Sequence, residues 1–250
     1  MAKESGLGAG FFLSGYDFSG DVVAIRELSG GPALIEGVTG IDKSAHERIG
    51  GNLSGAQRIT TWFNPAANMG HKRLSTLPTG NQQGQYWHRT VAGRPVHCIV
   101  GKQIQYDGNR GEDGAFTFDS DIESDGFSTE WATGLTAGKR TDAAPTNGTG
   151  VDFTTPAFAG SSTFGAQFYL QVMAFTGTSV AITIEDSADN VSFAALTGGA
   201  FASVTGITHE RIQTARNATV RRYLRVATAG TFSSVTFAVA AVRNDTLVNL

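Results

Sequence analysis

Only one cysteine occurs in the 250 residues, and Cys98 alone cannot close an internal disulfide, so no cross-link staples the chain. Charged side chains amount to 16%, against a usual ~25%. No uninterrupted apolar run approaches the ~20 residues that cross a bilayer, and no membrane partner is expected. The opening MAKESGLGAG lacks the apolar stretch of a signal peptide. A soluble protein made in a reducing compartment is therefore expected. Basic excess is missing too: the formal net charge is −3, whereas a nucleic-acid binder shows a basic face. Beyond Lys139 there is no lysine at all, and residues 146–250 carry six arginines against six acids.

Catalytic constellations are also lacking. There is no G-x-S-x-G, and Gly134–Arg140 (GLTAGKR) lacks the spacing and the Ser/Thr of a phosphate-binding loop. Gly6-x-Gly8-x-Gly10 follows no strand and misses the third glycine. His46, His71, His88, His97 and His209 are scattered. His97 and Cys98 are neighbours in a strand-like run, so they point to opposite faces and cannot share a metal. Structural or surface histidines, a small buried Cys98, and no cofactor, metal or enzymatic activity are the expectation. A glycan hydrolase would need two carboxylates across a cleft, and the sequence gives no cleft.

Glycine is abundant, at 32 residues, nearly twice its usual share. Without a G-X-Y period this is not collagen, and the apolar runs of strand length argue against disorder. Turns between strands remain. The composition changes across Gly134–Gly150 (GLTAGKRTDAAPTNGTG), which reads as a linker and puts a domain boundary near residue 145.

In the first half, Gly10–Phe18 and Val22–Leu28 read as a strand pair turning at Ser19-Gly20-Asp21. Ile41–Ile49 is expected to form a turn or two of helix capped by Asp42. Gln57–Phe63, Gln85–Thr90 and Pro95–Tyr106 read as strands. Met69, Leu74 and Leu77 have near-helical spacing before Pro78, so a short helix is expected within 66–77. The polar stretches Gly30–Gly51 and Asn64–Gln85 exceed ordinary connections and read as interaction loops. In the second half, five strands are expected: Phe168–Phe175, Ser179–Ile184, Ile207–Thr214, Thr219–Ala227 and Phe232–Val242. Turns at Thr176-Gly177, Ala188-Asp189-Asn190 and Ala229-Gly230 separate them. That rhythm describes a β-sandwich or jelly roll.

The strongest local pattern is Gly114–Gly126, GAFTFDSDIESDG. Strand alternation puts Phe116, Phe118 and Ile122 on one face and Asp119, Asp121, Glu123 and Asp125 on the other. A row of like charges on one face costs stability and asks for a reason. Three reasons compete: a solvated face, calcium, or a surface that has to stay negative. Asp121-x-Glu123-x-Asp125-Gly126 imitates an EF-hand opening, but the twelfth position is Ala132 instead of a bidentate Glu. In the second half, Phe193 and Tyr223 are the aromatics a lectin-like face would use, with core packing as the plainer reading.

From KQIQYD (Lys102–Asp107) through Arg110, Asp113-Gly114 and the Phe-rich strand to GFSTEW and LTAGKRTD, the chain resembles the major tail protein of long-tailed actinobacterial phages. The segments MAKESGLGAGFFLSGYDFSGDV, VTGIDKSAHERI and FNPAANMGHKRLSTLP are similar to that family as well. The resemblance covers about the first 145 residues, while SADNVSF and VRRYLRV resemble a domain often appended to such proteins.

The resemblance implies a mainly β protein. Residues 1–145 would form a tail-tube-type sandwich or barrel with a short helix and long interaction loops. Residues 146–250 would form an outer jelly-roll or Ig-like decoration domain. It implies a virion protein, made in the host bacterial cytoplasm, whose copies join into rings, usually hexamers. The rings stack into a tube, with other tail proteins such as tape measure and terminator as partners, and double-stranded DNA passes through it without specific binding. Asp119, Asp121, Glu123 and Asp125 would then line the lumen and repel phosphates, with Phe116, Phe118 and Ile122 toward the core. The competing reading is a capsid decoration or baseplate protein whose sandwich grips host glycans, with Phe193 and Tyr223 as contacts.

Overall fold

The computed structural model describes residues 5–35, 39–47, 49–155 and 159–247, and within them the chain is built almost wholly of antiparallel strands. The mainly β class expected from the glycine-punctuated apolar runs is what the chain adopts. A short helix, α1 (Gly70–Leu74), falls inside the segment expected to be helical. The chain sorts into two compact units that interleave in sequence. Met1–Gly20, Gln83–Cys98 and Trp131–Leu250 form the first, Asp21–Gln82 and Ile99–Glu130 the second.

In the first unit, β1 (Gly10–Leu13) turns back at once into β2 (Tyr16–Asp17), with Leu13 opposite Tyr16. Ser14 and Gly15 both have positive φ, at 50° and 84°, the signature of a tight two-residue hairpin. The expected pairing of Gly10–Phe18 with Val22–Leu28 is therefore corrected. The other partner of β1 is β5 (Gln82–Trp87).

The second half also departs from its expected turns. Phe168–Phe175 and Ser179–Ile184 are one continuous strand, β11 (Ala166–Ser187), which pairs along its whole length with β14 (Tyr223–Arg243). Thr176-Gly177 and Ala229-Gly230 are not turns. Register shifts cluster at Thr176, Gly177 and Ser179, so the extra residues bend the strand without ending its ladder. Gly177, at φ 152°, lies where a Cβ would come within 2.4 Å of the Phe232 backbone, and one on Gly230 would meet the Ser179 carbonyl at 2.5 Å. Glycine here permits close strand approach at a bulge rather than chain reversal. The expected turn at Ala188-Asp189-Asn190 does form, with Asn190 at φ 61°, and leads into β12 (Ala194–Ala200). β13 (Thr208–Gln213) pairs with β11 on the edge away from β14. Phe168, Leu170, Ile182, Leu224, Phe237 and Val239 are fully buried in the core of this unit, each contributing roughly 1.5–3 kcal/mol by leaving water. The composition change at Gly134–Gly150 falls within this unit, because β8 (Glu130–Gly134), β9 (Arg140–Asp142) and β10 (Val151–Asp152) all pair with β14.

The second unit holds the helix and a four-stranded order, β3 (Val22–Ile35), β4 (Ile49–Trp62), β7 (Phe116–Ser124) and, from Ile99 onward, β6 (Pro95–Arg110). Gly30–Gly51 is accordingly not one long loop, since its ends extend β3 and β4. Residues 36–38 and 48 of that stretch lie outside the described residues. The expected helix at Ile41–Ile49 is absent: residues 41–47 are turns and bends, Asp42 caps nothing helical, and Ile49 opens β4. A short helix needs an apolar face to bury, and Ile41 is fully exposed. Pro32 sits within β3, a strand that among the described residues pairs with β4 alone, as suits a strand at a sheet edge.

Candidate functional site

Alternation along β7 separates two chemistries. On one face Ile122 is completely buried, Phe118 is half-buried and Phe116 stays exposed at the rim. Phe118 stacks on Tyr106 with centroids 4.6 Å apart and planes at 10°, and Phe63, His71 and Phe116 complete the cluster. α1 belongs to this side: the Gln103 amide donates to the Leu74 carbonyl at 2.8 Å, and His71 Nδ1 lies 3.0 Å from the Tyr106 hydroxyl. Burial, and then the nearby Asp21 charge, push the Tyr106 hydroxyl up to about 12. Asp21 itself accepts from Asn64 Nδ2 at 2.7 Å and from the Gly70 amide at 2.8 Å.

The opposite face carries the acids, and the structure supplies what the sequence pattern left open. Arg58 on β4 stands directly across from Asp121. Its Nη2 donates to Glu123 at 2.7 Å, while its Nε lies 3.2 Å from Glu27 and 3.7 Å from Asp121. The Glu123 hydrogen bond first, then the Glu27 charge, hold this guanidinium even more firmly protonated than usual. Arg26 approaches from β3. It donates to Asp121 and to the Ile59 carbonyl, with Nε 3.3 Å from Asp119. Thr60 Oγ1 donates to Asp119 at 2.6 Å. The Asp121 side chain is only 6% exposed, against 41% for Asp119 and 36% for Glu123. Asp125 lies just past the strand, 3.7 Å from Lys102, which also donates to the Thr79 carbonyl.

Asp119, Asp121 and Glu123 therefore come together through two shared arginines, whereas Asp125 has its own lysine. Repulsion along the row is offset by cations on the flanking strands. Sequence reasoning missed Arg26 and Arg58. Their signal is faint, because pairing Val22–Leu28 with Gln57–Phe63 would have been needed to bring them over Asp121. Among the described residues no group of three His, Cys, Asp or Glu side chains is arranged to hold a metal ion.

The remaining candidates lie in the first unit. Phe193 and Tyr223 are half-buried, each with a guanidinium over its ring: Arg225 at 4.1 Å from the Phe193 centroid and Arg222 at 4.8 Å from that of Tyr223. Arg225 is held by Glu185 at 2.6 Å, and Arg222 by both oxygens of Asp152. Cys98 is buried, as expected of a small apolar residue. His97 is buried as well, with Trp131 edge-on at 5.0 Å. Desolvation lowers its pKa to about 4.

No protein family matches the chain, and no curated protein matches it. Among solved structures, a chain of the virion of a native gene transfer agent particle is 14% identical with a TM-score of 0.41, over 52% of this chain and 98% of that one. The Dit protein of phage SPP1, described as a hub of the adsorption apparatus, is 10% identical with a TM-score of 0.35, over 94% and 99%. A chain of the phage p2 baseplate in its activated, strontium-bound conformation is 8% identical with a TM-score of 0.31, over 96% and 99%. Likenesses at this level carry no functional argument.

Proposed function

We propose that the chain is a structural subunit of a phage tail tube, not an enzyme. Copies join edge to edge through the sheet of the second unit, the charged face of β7 turns inward, and rings stack into a conduit for the genome.

The observation that carries this reading is the asymmetry of the sheet. One face holds an aromatic cluster and α1, the other a band of ion pairs, and β3 at its end pairs on one side alone among the described residues. An unpaired strand edge is a template for association, and a head-to-tail contact that closes on itself removes every edge. Six copies would supply about two dozen strands. At a spacing of about 4.8 Å and a tilt of about 40°, these enclose a barrel roughly 48 Å across between backbones, roomy enough for a duplex. The sequence resemblance to major tail proteins points the same way.

Electron microscopy of the purified protein tests the reading. Hollow filaments or stacked rings, with Asp119 and Glu123 on the inner wall, are expected. Single rings that never stack would assign the chain to a hub or baseplate instead. A monomer at all concentrations, or a map with the charged face outside, would overturn the proposal.

A further inference from the structure

Two arginines on a surface meant to let DNA slide call for an explanation. A guanidinium is the side chain best shaped to grip a phosphate, since its planar fork makes paired hydrogen bonds. Arg26 is about a third exposed and Arg58 slightly more, so neither is hidden by burial. Both are instead paired with carboxylates.

Arg26 shows the construction most plainly. It is the extra residue of a register shift in β3, between Ile25 opposite Ile59 and Glu27 opposite Arg58. A bulge re-aims the side chain at its site. Here the chain of Arg26 lies across β4, passing the Ile59 carbonyl to reach Asp121 on the strand beyond. Arg58, on the intervening strand, meets Glu27, Asp121 and Glu123. Asp121, nearly buried, is the carboxylate both arginines share, and Asp119 and Glu123 cap the arrangement from either side.

We propose that Asp119, Asp121 and Glu123 act as a counter-charge lock that sequesters Arg26 and Arg58 from the phosphates of a passing duplex. The inference rests on the tail-tube reading and sharpens it. The acids of β7 do more than repel DNA. They occupy the two groups on this face best able to hold it, while the face keeps a surplus of negative charge. With Glu27, four carboxylates meet two guanidinium groups, a balance of minus two. Converting Asp119, Asp121 and Glu123 to amides would turn it to plus one and free both forks.

The test uses the full chain and a fluorescently labelled double-stranded DNA of mixed sequence, with binding followed by polarisation across a salt series. The wild type is expected to show no measurable binding at 50 mM salt. The triple variant Asp119→Asn/Asp121→Asn/Glu123→Gln is expected to bind, with two phosphate contacts per subunit weakening it about tenfold between 50 and 200 mM salt. Adding Arg26→Gln and Arg58→Gln should abolish the gain. Because Asp121 is nearly buried, the triple variant is checked by circular dichroism. Glu123→Gln alone, at a more exposed position, gives a smaller gain of the same sign and keeps the test open if the triple variant unfolds. A folded variant that gains no DNA binding, or a gain that survives loss of both arginines, overturns the lock. The tube reading is judged separately by microscopy of the same wild-type sample: filaments without a DNA-binding gain sink only the lock, and a gain without rings or filaments sinks only the tube.

Discussion

Phe118 lies over Gly108, the residue directly opposite it on β6, so closely that a Cβ on Gly108 would come within 2.7 Å of the ring. The ring is pinned from its other partners too, stacked on Tyr106 and tilted against Phe63 and His71. Gly108→Ala should therefore push Phe118 out of register with the cluster and destabilise the protein by about 1–3 kcal/mol, the usual cost of overpacking. Denaturant unfolding reads it directly. An unchanged midpoint would mean that the ring has somewhere else to go.

The first unit has its own sensitive point at Asp142. Its buried carboxylate accepts two bonds from Arg140, at 2.8 and 2.7 Å, and one from Thr228 at 2.8 Å. Asp142→Asn leaves the guanidinium, itself mostly covered, without its counter-charge. A loss of about 3–5 kcal/mol is expected, read as a lower denaturation midpoint with the fold retained by circular dichroism.

His97 sets an acid limit on stability. Its folded pKa of about 4 lies below the ordinary imidazole value of 6.5, so the unfolded chain takes up a proton first as pH falls. The contribution of neutral His97 is complete above about pH 6.5 and drains away toward pH 4, where about 3 kcal/mol is gone. Melting temperature measured from pH 7 to 4 should fall more steeply in the wild type than in His97→Gln. Parallel curves would show that this ring does not titrate with unfolding.

If rings close through the edge of β3, a charge placed there should block them. Val23 on that strand is about half exposed, and Val23→Lys is expected to change the unfolding free energy by no more than about 0.5 kcal/mol while abolishing filaments. Lysine is a common guard of strand edges. Filaments that still form would move the ring contact elsewhere.

The two aromatics of the first unit yield a structural expectation. With Arg225 over Phe193 and Arg222 over Tyr223, Phe193→Ala and Tyr223→Ala should each lower stability by about 1 kcal/mol or more through lost cation–π contact and area. A glycan array probed with wild type and both variants checks the competing role. Binding lost on either substitution would give the first unit a ligand.

The legible parts of the fold were those dictated by short-range pattern. Alternation in GAFTFDSDIESDG separated the two faces of β7 because strand geometry admits no other arrangement of neighbours. Asn190 and its flanking residues signalled a turn because Asp and Asn side chains bond their own backbone, and Asp189 does so with the Val191 and Ser192 amides. Gly177 and Gly230 misled. Glycine marks any backbone that needs close approach or positive φ, and a bulge within a long ladder meets that description as well as a turn does. The helix expected at Ile41–Ile49 failed for a related reason: local spacing cannot say whether a surface exists to cover the apolar side.

The sequence by itself determined the mainly β class and the row of acids with its apolar reverse face. Both follow from residue type and near-neighbour spacing. Only the tertiary structure decided what the row of acids faces. Arg26 and Arg58 lie 95 and 63 positions away from Asp121 along the chain, and strand pairing with a single bulge brings them over it. Charges that look unbalanced along β7 are half neutralised across the sheet, because Coulomb attraction depends on distance through space and not on separation in sequence.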